Sequence, residues 1–579
     1  MHYDLSDERT DFLAARGRVV LSACPGSGKT TSVAYKLTGL IKDWEKQFGR
    51  YQGIACLSFT NVAKDEIEEK FACFCGNKLG FPHLVSTLDS FINHYITLPF
   101  GHKILPDCQS RLRIIDNNSF MDDWYFHDRL PQSTQLLKFS YCPSSIDICF
   151  DGTYRSKQKR PAIGVEDLKL FDSYCKKVKS KQHSYGLLTN SDSTYFALRI
   201  LKEFPEVAQA LVTRFPYILV DEAQDTSEIQ YAILEEFIKN GLKNIELIGD
   251  PYQSLYQWRD AKPDLFIAKS RSDEWNHLTF TACRRSTKTI VDCYCKLRST
   301  ADPQLESIAI GIEQEPIQVI LFDDYDLLVG KYEKLAQAHS NRKIVVRGES
   351  QLKKMSAFNE VIPLWKIDPC IPIDLIYAKY ELSKGNVKYA INRVRKNLPV
   401  LIKPETIGDY KGQKELLDEI SDDYTWNARI IEMISKIPSF DLSVIEWTIL
   451  AQQCLKEAFQ LSFEPQFALK AGIHTKCHKN PMSELFGDAV NSTKVTTVHQ
   501  VKGKTFDSLM LVLNENSSGQ SISIKDLSEH KDVNNEKTRI IYVAMSRPRV
   551  QLVIAIPKKD LEEKYIKDVL GDDSIIHII

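Results

Sequence analysis

The sequence predicts an α/β protein with two parallel-sheet cores. Three observations predict it. Short, continuously apolar runs are each followed by a polar turn and an amphipathic stretch, the pattern of parallel strands covered on both faces. A glycine-rich loop ending in lysine follows directly on the first of these runs. The run-and-turn pattern then lapses and returns late in the chain.

The early strands are Val19-Val20-Leu21, Ile54-Ala55-Cys56-Leu57, Tyr217-Ile218-Leu219-Val220 and Ile245-Glu246-Leu247-Ile248. A helix is signalled after Asp225: Thr226 or Ser227 can cap it, and Ile229, Ile233, Leu234, Phe237 and Ile238 form one apolar stripe. The late strands are Ile344-Val345-Val346, Leu509 to Leu513 and Leu552 to Ile556. Residues 95–190 and 356–486 lack the strand–helix alternation and read as one insertion per core. The expected division is 1–94 and 191–277 for the first core, with 95–190 inserted, and 278–355 and 487–579 for the second, with 356–486 inserted. A length of 579 residues accommodates several domains of ~150 residues.

Composition excludes fibrous and wholly disordered classes: 43% of residues are hydrophobic and 26% charged. With 75 Lys and Arg against 76 Asp and Glu, the formal net charge is −1, so any nucleic-acid contact must use local positive charge. Two stretches supply it. Arg155 to Lys181 holds nine basic against three acidic residues, and Lys379 to Lys396 six against one. Such runs are ordinarily solvated faces; the interleaved Phe171, Tyr174, Tyr380 and Tyr389 make nucleic-acid contact the alternative. No apolar run approaches a membrane span, and the acidic, polar start does not resemble a signal peptide, so a cytoplasmic location is expected. The 14 Cys residues include no C-x-x-C pair, as expected of free thiols in a reducing compartment. His474, Cys477 and His478 could contact a metal, but no second cluster completes a site.

The strand Val19–Leu21 runs into Ser22-Ala23-Cys24-Pro25-Gly26-Ser27-Gly28-Lys29-Thr30-Thr31. This is a Walker A phosphate loop with Ala23 where the strict pattern has Gly. Gly26 and Gly28 let backbone N–H groups approach phosphate oxygens. The following helix directs its N-terminal dipole at the same anion. Lys29 supplies a cation for the β- and γ-phosphates, and the Thr30 hydroxyl a ligand for Mg²⁺. The candidate nucleotide-binding residues are therefore Ala23, Cys24, Pro25, Gly26, Ser27, Gly28, Lys29, Thr30 and Thr31. About 190 residues later, the strand Tyr217–Val220 delivers Asp221-Glu222-Ala223-Gln224-Asp225 at its C-terminal end, where parallel sheets bind ligands. Asp221 suits the Mg²⁺ role, and Glu222 the handling of the attacking water.

With these two halves in place, the sequence strongly resembles the superfamily 1 DNA helicases of the UvrD/Rep/PcrA type. Asp221 to Asp225 resembles that family's motif II, and Gly249-Asp250-Pro251-Tyr252-Gln253-Ser254-Leu255-Tyr256-Gln257-Trp258-Arg259 its motif III. Ile54 to Ile67 resembles motif Ia, Ser86 to Phe91 motif Ib, and Cys283-Arg284-Arg285-Ser286 motif IV. Thr497 to Asp507 resembles motif V, and Glu536 to Arg547 motif VI. The motifs stand in family order. The resemblance implies two RecA-like parallel-sheet P-loop NTPase cores, each with an inserted, mostly helical accessory domain. It implies a γ-phosphate sensor in Gln253 and arginine fingers in Arg285 and Arg547, which with Glu222 make the catalytic set. It implies DNA contacts from Phe59, Asn61, Thr87, Tyr256 and Trp258, the last two between the DNA path and the nucleotide.

Three positions depart from the family. Arg9 stands where an adenine-reading Gln is expected, Thr505 where motif V has a ribose-binding acid, and Thr31 where an Arg often follows the phosphate loop. All bear on base or sugar recognition, so ATP hydrolysis is a firmer expectation than strict ATP selectivity. The expected activity is Mg²⁺- and ATP-dependent translocation and unwinding, 3′ to 5′ on single-stranded DNA, with single-stranded and partly duplex DNA as partner. The compact chain also resembles the helicase-like subunit of Gabija-type anti-phage systems, which implies a separate OLD-family nuclease as partner; a stand-alone repair helicase is the competing assignment. A DNA-stimulated nucleotide sensor that unwinds little is the alternative of a different class.

Overall fold

The computed structural model describes residues 3–108, 110–115, 143–156, 165–255, 261–348, 351–352, 355, 365, 371–383, 387–395, 398–403, 416, 424–461, 467–469, 478–479, 481–482, 495–517, 519, 521–528, 532–557 and 561–579. The chain divides into two compact units. One is Met1–Asp116, Ser145–Leu352 and Thr496–Ile579; the other is Asn117–Ser144 and Lys353–Val495.

The first unit contains two six-stranded sheets. In the first sheet, β1 (Arg18–Ala23), β2 (Ile54–Ser58), β3 (Leu84–Thr87), β4 (Tyr217–Asp221), β5 (Asn244–Gly249) and β6 (Asn276–Phe280) lie in the order β6-β1-β5-β4-β2-β3. Every neighbouring pair is parallel. β2 and β4 are buried at every position, which explains their unbroken apolar runs. The register pairs Leu21 with Ile248 and Asp221 with Ile248, so the chain leaves β1, β4 and β5 at one edge. The helix Glu228–Lys239 is capped by Ser227, whose hydroxyl accepts the Gln230 N–H while the Gln230 side chain answers the Ser227 N–H. Its Ile233, Leu234 and Phe237 enter the core.

In the second sheet, β7 (Gln318–Phe322), β8 (Arg342–Val346), β9 (Val495–Thr497), β10 (Phe506–Val512), β11 (Pro548–Pro557) and β12 (Ile575–Ile578) lie in the order β9-β8-β10-β11-β7-β12. The pairs β8–β10, β10–β11, β11–β7 and β7–β12 are parallel. The helix Glu536–Met545 packs Ile540 to Met545 into the same core. These are the two RecA-like cores expected from the sequence. Between the two passages of the first core lie a hairpin, Ile146–Ile148 with Tyr154–Ser156, and the helix Val165–Ser184. The second unit gathers helices Ile371–Ser383, Val387–Arg395, Tyr424–Lys436 and Val444–Phe459 around buried Trp365 and Trp447. No described helix is long and apolar enough to cross a membrane.

One charged pair sits inside the first core. Lys36 Nζ lies 2.6 Å from Glu246 on β5, and both side chains are almost fully buried. Lys36 also donates to the carbonyls of Phe12 (2.7 Å) and Ala15 (2.9 Å), and the Tyr217 hydroxyl donates to Glu246. Burial pulls the Lys36 ammonium down to about 8, against the pull of Glu246. Lys36→Met strands the buried carboxylate and is expected to cost about 3–5 kcal/mol. Lys36→Met with Glu246→Leu should recover most of that loss, measured by denaturant unfolding of both variants.

Candidate nucleotide site at the sheet edge

The phosphate loop begins where β1 ends. The Cys24 N–H donates to the Phe280 carbonyl (3.0 Å), which ties the loop to β6. The loop turns through the Ser27 N–H and hydroxyl, both donating to the Cys24 carbonyl at 3.2 and 2.8 Å. Ala23, Cys24, Pro25 and Ser27 are buried, and Thr30 and Thr31 half-buried in the first turn of the helix Lys29–Lys42. Gly26 has φ 75°, and a Cβ there would lie 2.5 Å from the Arg285 Cβ of the second core. Glycine is needed both for that backbone and for the close approach.

Lys29 Nζ lies 2.5 Å from Glu222 Oε1 and 3.8 Å from Asp221 Oδ1. Glu222 has φ 57° and ψ 37°, left-handed for a residue with a side chain. Such a conformation costs of order 1–3 kcal/mol and persists only where its surroundings impose it. It is held by the Glu222 N–H donating to Asp221 Oδ1 (2.9 Å) and by Gln224 Nε2 donating to Glu222 Oε2 (2.6 Å). Burial disfavours the Glu222 charge, but Lys29 and Lys502 outweigh it and bring the carboxyl down to about 2. For Asp221 burial prevails over Lys29 and raises the carboxyl. Asp225 is likewise pushed up to about 6 by burial, although Lys502 is ion-paired with it.

Asp221 Oδ2 is buried with no hydrogen-bond partner among the described residues. That orphaned oxygen beside the phosphate loop fits a Mg²⁺ ion shared with substrate phosphates, which needs few protein ligands. Asp221 and Thr30 are the residues that could hold it. Among the described residues no group of three or more His, Cys, Asp or Glu side chains is placed to hold a metal. His474 and Cys477 lie outside the described residues.

The second core closes the site. Arg547 is buried and donates through Nη2 to Gln253 Oε1 at 2.7 Å, and Gln253 Nε2 donates to Asp250 Oδ2 at 2.8 Å. Arg285 Nη1 donates to the Ser546 carbonyl (3.1 Å). Burial and the neighbouring Arg285 lower the Arg547 guanidinium to about 9, so it stays charged at neutral pH. Lys502, part of the motif V string but given no role by the sequence, reaches Asp225 and comes within 3.8 Å of Glu222. A lysine preceding a glycine in a turn carries no signal of its own; only the cleft reveals its partners.

Phe59, Asn61 and Thr87 share one edge, because Ser58 pairs with Thr87 across β2 and β3. Phe59 is half-buried and Asn61 exposed at the start of the helix Asn61–Cys75. Thr87 is buried, and its hydroxyl caps the next helix by accepting the Ser90 N–H at 3.2 Å. Tyr256 and Trp258 lie outside the described residues. Arg9 lies behind the phosphate loop: Nη2 donates to the Ser27 carbonyl (2.9 Å), and the guanidinium lies 4.7 Å from the Tyr3 ring centroid. Arg284 ion-pairs with Asp4 at 2.7 Å beside it. Thr505 offers its backbone carbonyl to Asn341 Nδ2 (3.0 Å).

Residues 6–273 match the family model described as the UvrD/REP helicase N-terminal domain, and residues 468–559 the UvrD-like helicase C-terminal domain. The chain is 26% identical over 294 residues to a probable DNA helicase II homolog of Mycoplasma capricolum, covering 48% of this chain and 38% of that protein. It is 24% identical over 300 residues to the ATP-dependent DNA helicase PcrA of Staphylococcus aureus, covering 48% and 37%. It is 22% identical over 595 residues to the Gabija protein GajB of Bacillus cereus, covering 99% of each chain. The chain thus spans less than two fifths of the first two proteins and nearly all of the third. The first model takes in β1 to β5 and the second β9 to β11, and the chain carries the N- and C-terminal domains of the UvrD-like helicase family.

Proposed function

We propose that this protein is an ATP hydrolase that drives translocation and unwinding on DNA, moving 3′ to 5′ along a single strand. The observation that carries the reading is the meeting of four motifs in one cleft: Lys29 on Glu222 and Asp221, and Arg547 on Gln253. Lys29 and the backbone of Gly26 to Thr31 bind the phosphates. Glu222, held ionised by two lysines, takes the proton of the attacking water. Arg285 and Arg547 place positive charge where the transferred phosphoryl group develops negative charge. Mg²⁺, held by Thr30 and Asp221, supplies further neutralisation of phosphate oxygens when bound. Phe59 and Asn61, beyond the end of β2, contact the DNA strand, and the family resemblance adds Thr87, Tyr256 and Trp258 as candidates. The insertions at 95–190 and 356–486 are the accessory domains.

The end-to-end match to the Gabija protein GajB supports a role in anti-phage defence; a cytoplasmic location and a separate OLD-family nuclease as partner are what the sequence resemblance implies.

The test pairs DNA-stimulated ATP hydrolysis with strand displacement on a duplex bearing a 3′ single-stranded tail. Both are expected for the wild type. Stimulation without displacement would favour the sensor reading, and no stimulation would remove DNA from the account. Glu222→Gln is expected to bind nucleotide within about threefold of wild type and to lose about 10²–10⁴-fold in turnover, the usual share of a general base. Wild-type turnover in that variant would end the assignment.

A further inference from the structure

We infer that residues Arg298–Asp302 of the second core form a clasp on the Tyr252 hydroxyl that sets the position of Gln253. The inference rests on the nucleotide-hydrolysing reading of the cleft.

Tyr252 sits between Asp250 and Gln253 on the short turn Pro251–Gln253 that follows β5. The turn is tightly knit. Asp250 Oδ1 accepts the Tyr252 N–H (3.1 Å), and the Asp250 carbonyl accepts the Gln253 N–H (2.9 Å). Gln253 therefore follows any movement of Tyr252.

The Tyr252 hydroxyl makes both of its hydrogen bonds to one segment of the second core. It donates to Asp302 Oδ2 (2.6 Å) and accepts the Ser299 N–H (2.9 Å). The guanidinium of Arg298 lies 4.8 Å from the Tyr252 ring centroid. Arg298 Nη1 also donates to the Tyr542 hydroxyl (3.3 Å), which donates to Asp250 Oδ2 (3.4 Å). A buried phenylalanine would fill the same space. The hydroxyl is thus the part of Tyr252 that binds the turn to Arg298–Asp302, and through it displacement of the second core reaches Gln253. Residue 252 is not one of the residues proposed to touch nucleotide, so the clasp acts by positioning.

The test uses the full-length chain with Tyr252→Phe, Asp302→Ala and Asp302→Asn. Equilibrium binding of ADP and of a non-hydrolysable ATP analogue gives the preference for the triphosphate, which Gln253 must sense. Tyr252→Phe and Asp302→Ala are expected to lower that preference about five- to tenfold. Asp302→Asn retains an acceptor oxygen and should stay within about twofold of wild type. Melting temperatures should remain within about 4 °C of wild type. An unchanged preference in Tyr252→Phe overturns the clasp. So does an equal loss of affinity for both nucleotides that tracks a fall in melting temperature. Absence of DNA-stimulated turnover in the wild type would count against the proposed function instead, and the binding ratio would still decide the clasp.

Discussion

Replacing Lys29 with alanine is expected to reduce nucleotide turnover by at least about 10²–10³-fold, the usual loss when one preorganised charge-stabilising group leaves an active site. The side chain starts a helix at the mouth of the phosphate loop and carries the charge nearest Glu222. Its removal should also be visible without substrate, because Lys29 depresses the Glu222 carboxyl. A carboxyl lowered from its ordinary 4.5 to about 2 adds stability above pH 4.5, and that share fades as pH falls toward 2. The melting-temperature gap between wild type and Lys29→Ala should therefore be wider at pH 7 than at pH 4. Phosphate release at saturating ATP, with circular dichroism melts at the two pH values, measures both effects. Wild-type turnover would dismiss the phosphate loop as the site. An equal gap at both pH values would dismiss the ion pair with Glu222.

The central strands were legible because burial on both faces forces an unbroken apolar run, as in β2 and β4. Edge strands carry no such signature. In β6, Asn276 and His277 are exposed and only Phe280 is buried, so Asn276-His277-Leu278-Thr279-Phe280 reads as a mixed segment. β12 has Ile575 and Ile578 exposed and falls outside the pattern for the same reason. β5 was legible despite Glu246, but the partner of that acid was not. Lys36 lies on the helix after the phosphate loop, and nothing in a sequence pairs one lysine with one acid across 210 positions.

The site divides in the same way. Groups proposed to touch phosphate come in contiguous strings with fixed chemistry, and Gly26 to Thr30 and Asp221-Glu222 are legible as candidates in those strings. Groups that join the two cores are single residues on unrelated elements. Lys502, Tyr252, Arg298 and Asp302 acquire meaning only when the sheets are brought together. Thr87 shows the converse. The resemblance proposes a DNA contact, while the structure gives its hydroxyl a cap to make. A cap satisfies one backbone donor and leaves the nearby strand end available, so DNA contact there would come from exposed Asn61 and half-buried Phe59 beside it.

Arg547→Ala is expected to lower kcat by about 10³-fold or more, the range that an arginine finger contributes to phosphoryl transfer. KM for ATP should change far less, because the phosphate loop on the other core keeps its binding groups. The side chain is buried and its Nη2 serves both Gln253 Oε1 and Ser546 Oγ, so truncation leaves acceptors unpaired and some stability is lost. Arg547→Lys separates charge from geometry. Lysine keeps the positive charge but not the planar fork whose Nε donates to the Val543 carbonyl (2.9 Å) while Nη2 donates to Gln253, and its kcat should stay closer to that of alanine than to wild type. The contact with Gln253 gives a second check. Two groups that act as one unit are not additive, so Gln253→Ala with Arg547→Ala should be within about threefold of the slower single variant. Additive losses would separate the two residues into independent roles. A kcat within tenfold of wild type in a folded Arg547→Ala protein would remove the arginine from the chemistry and leave Arg285 to neutralise the transferred phosphoryl group alone.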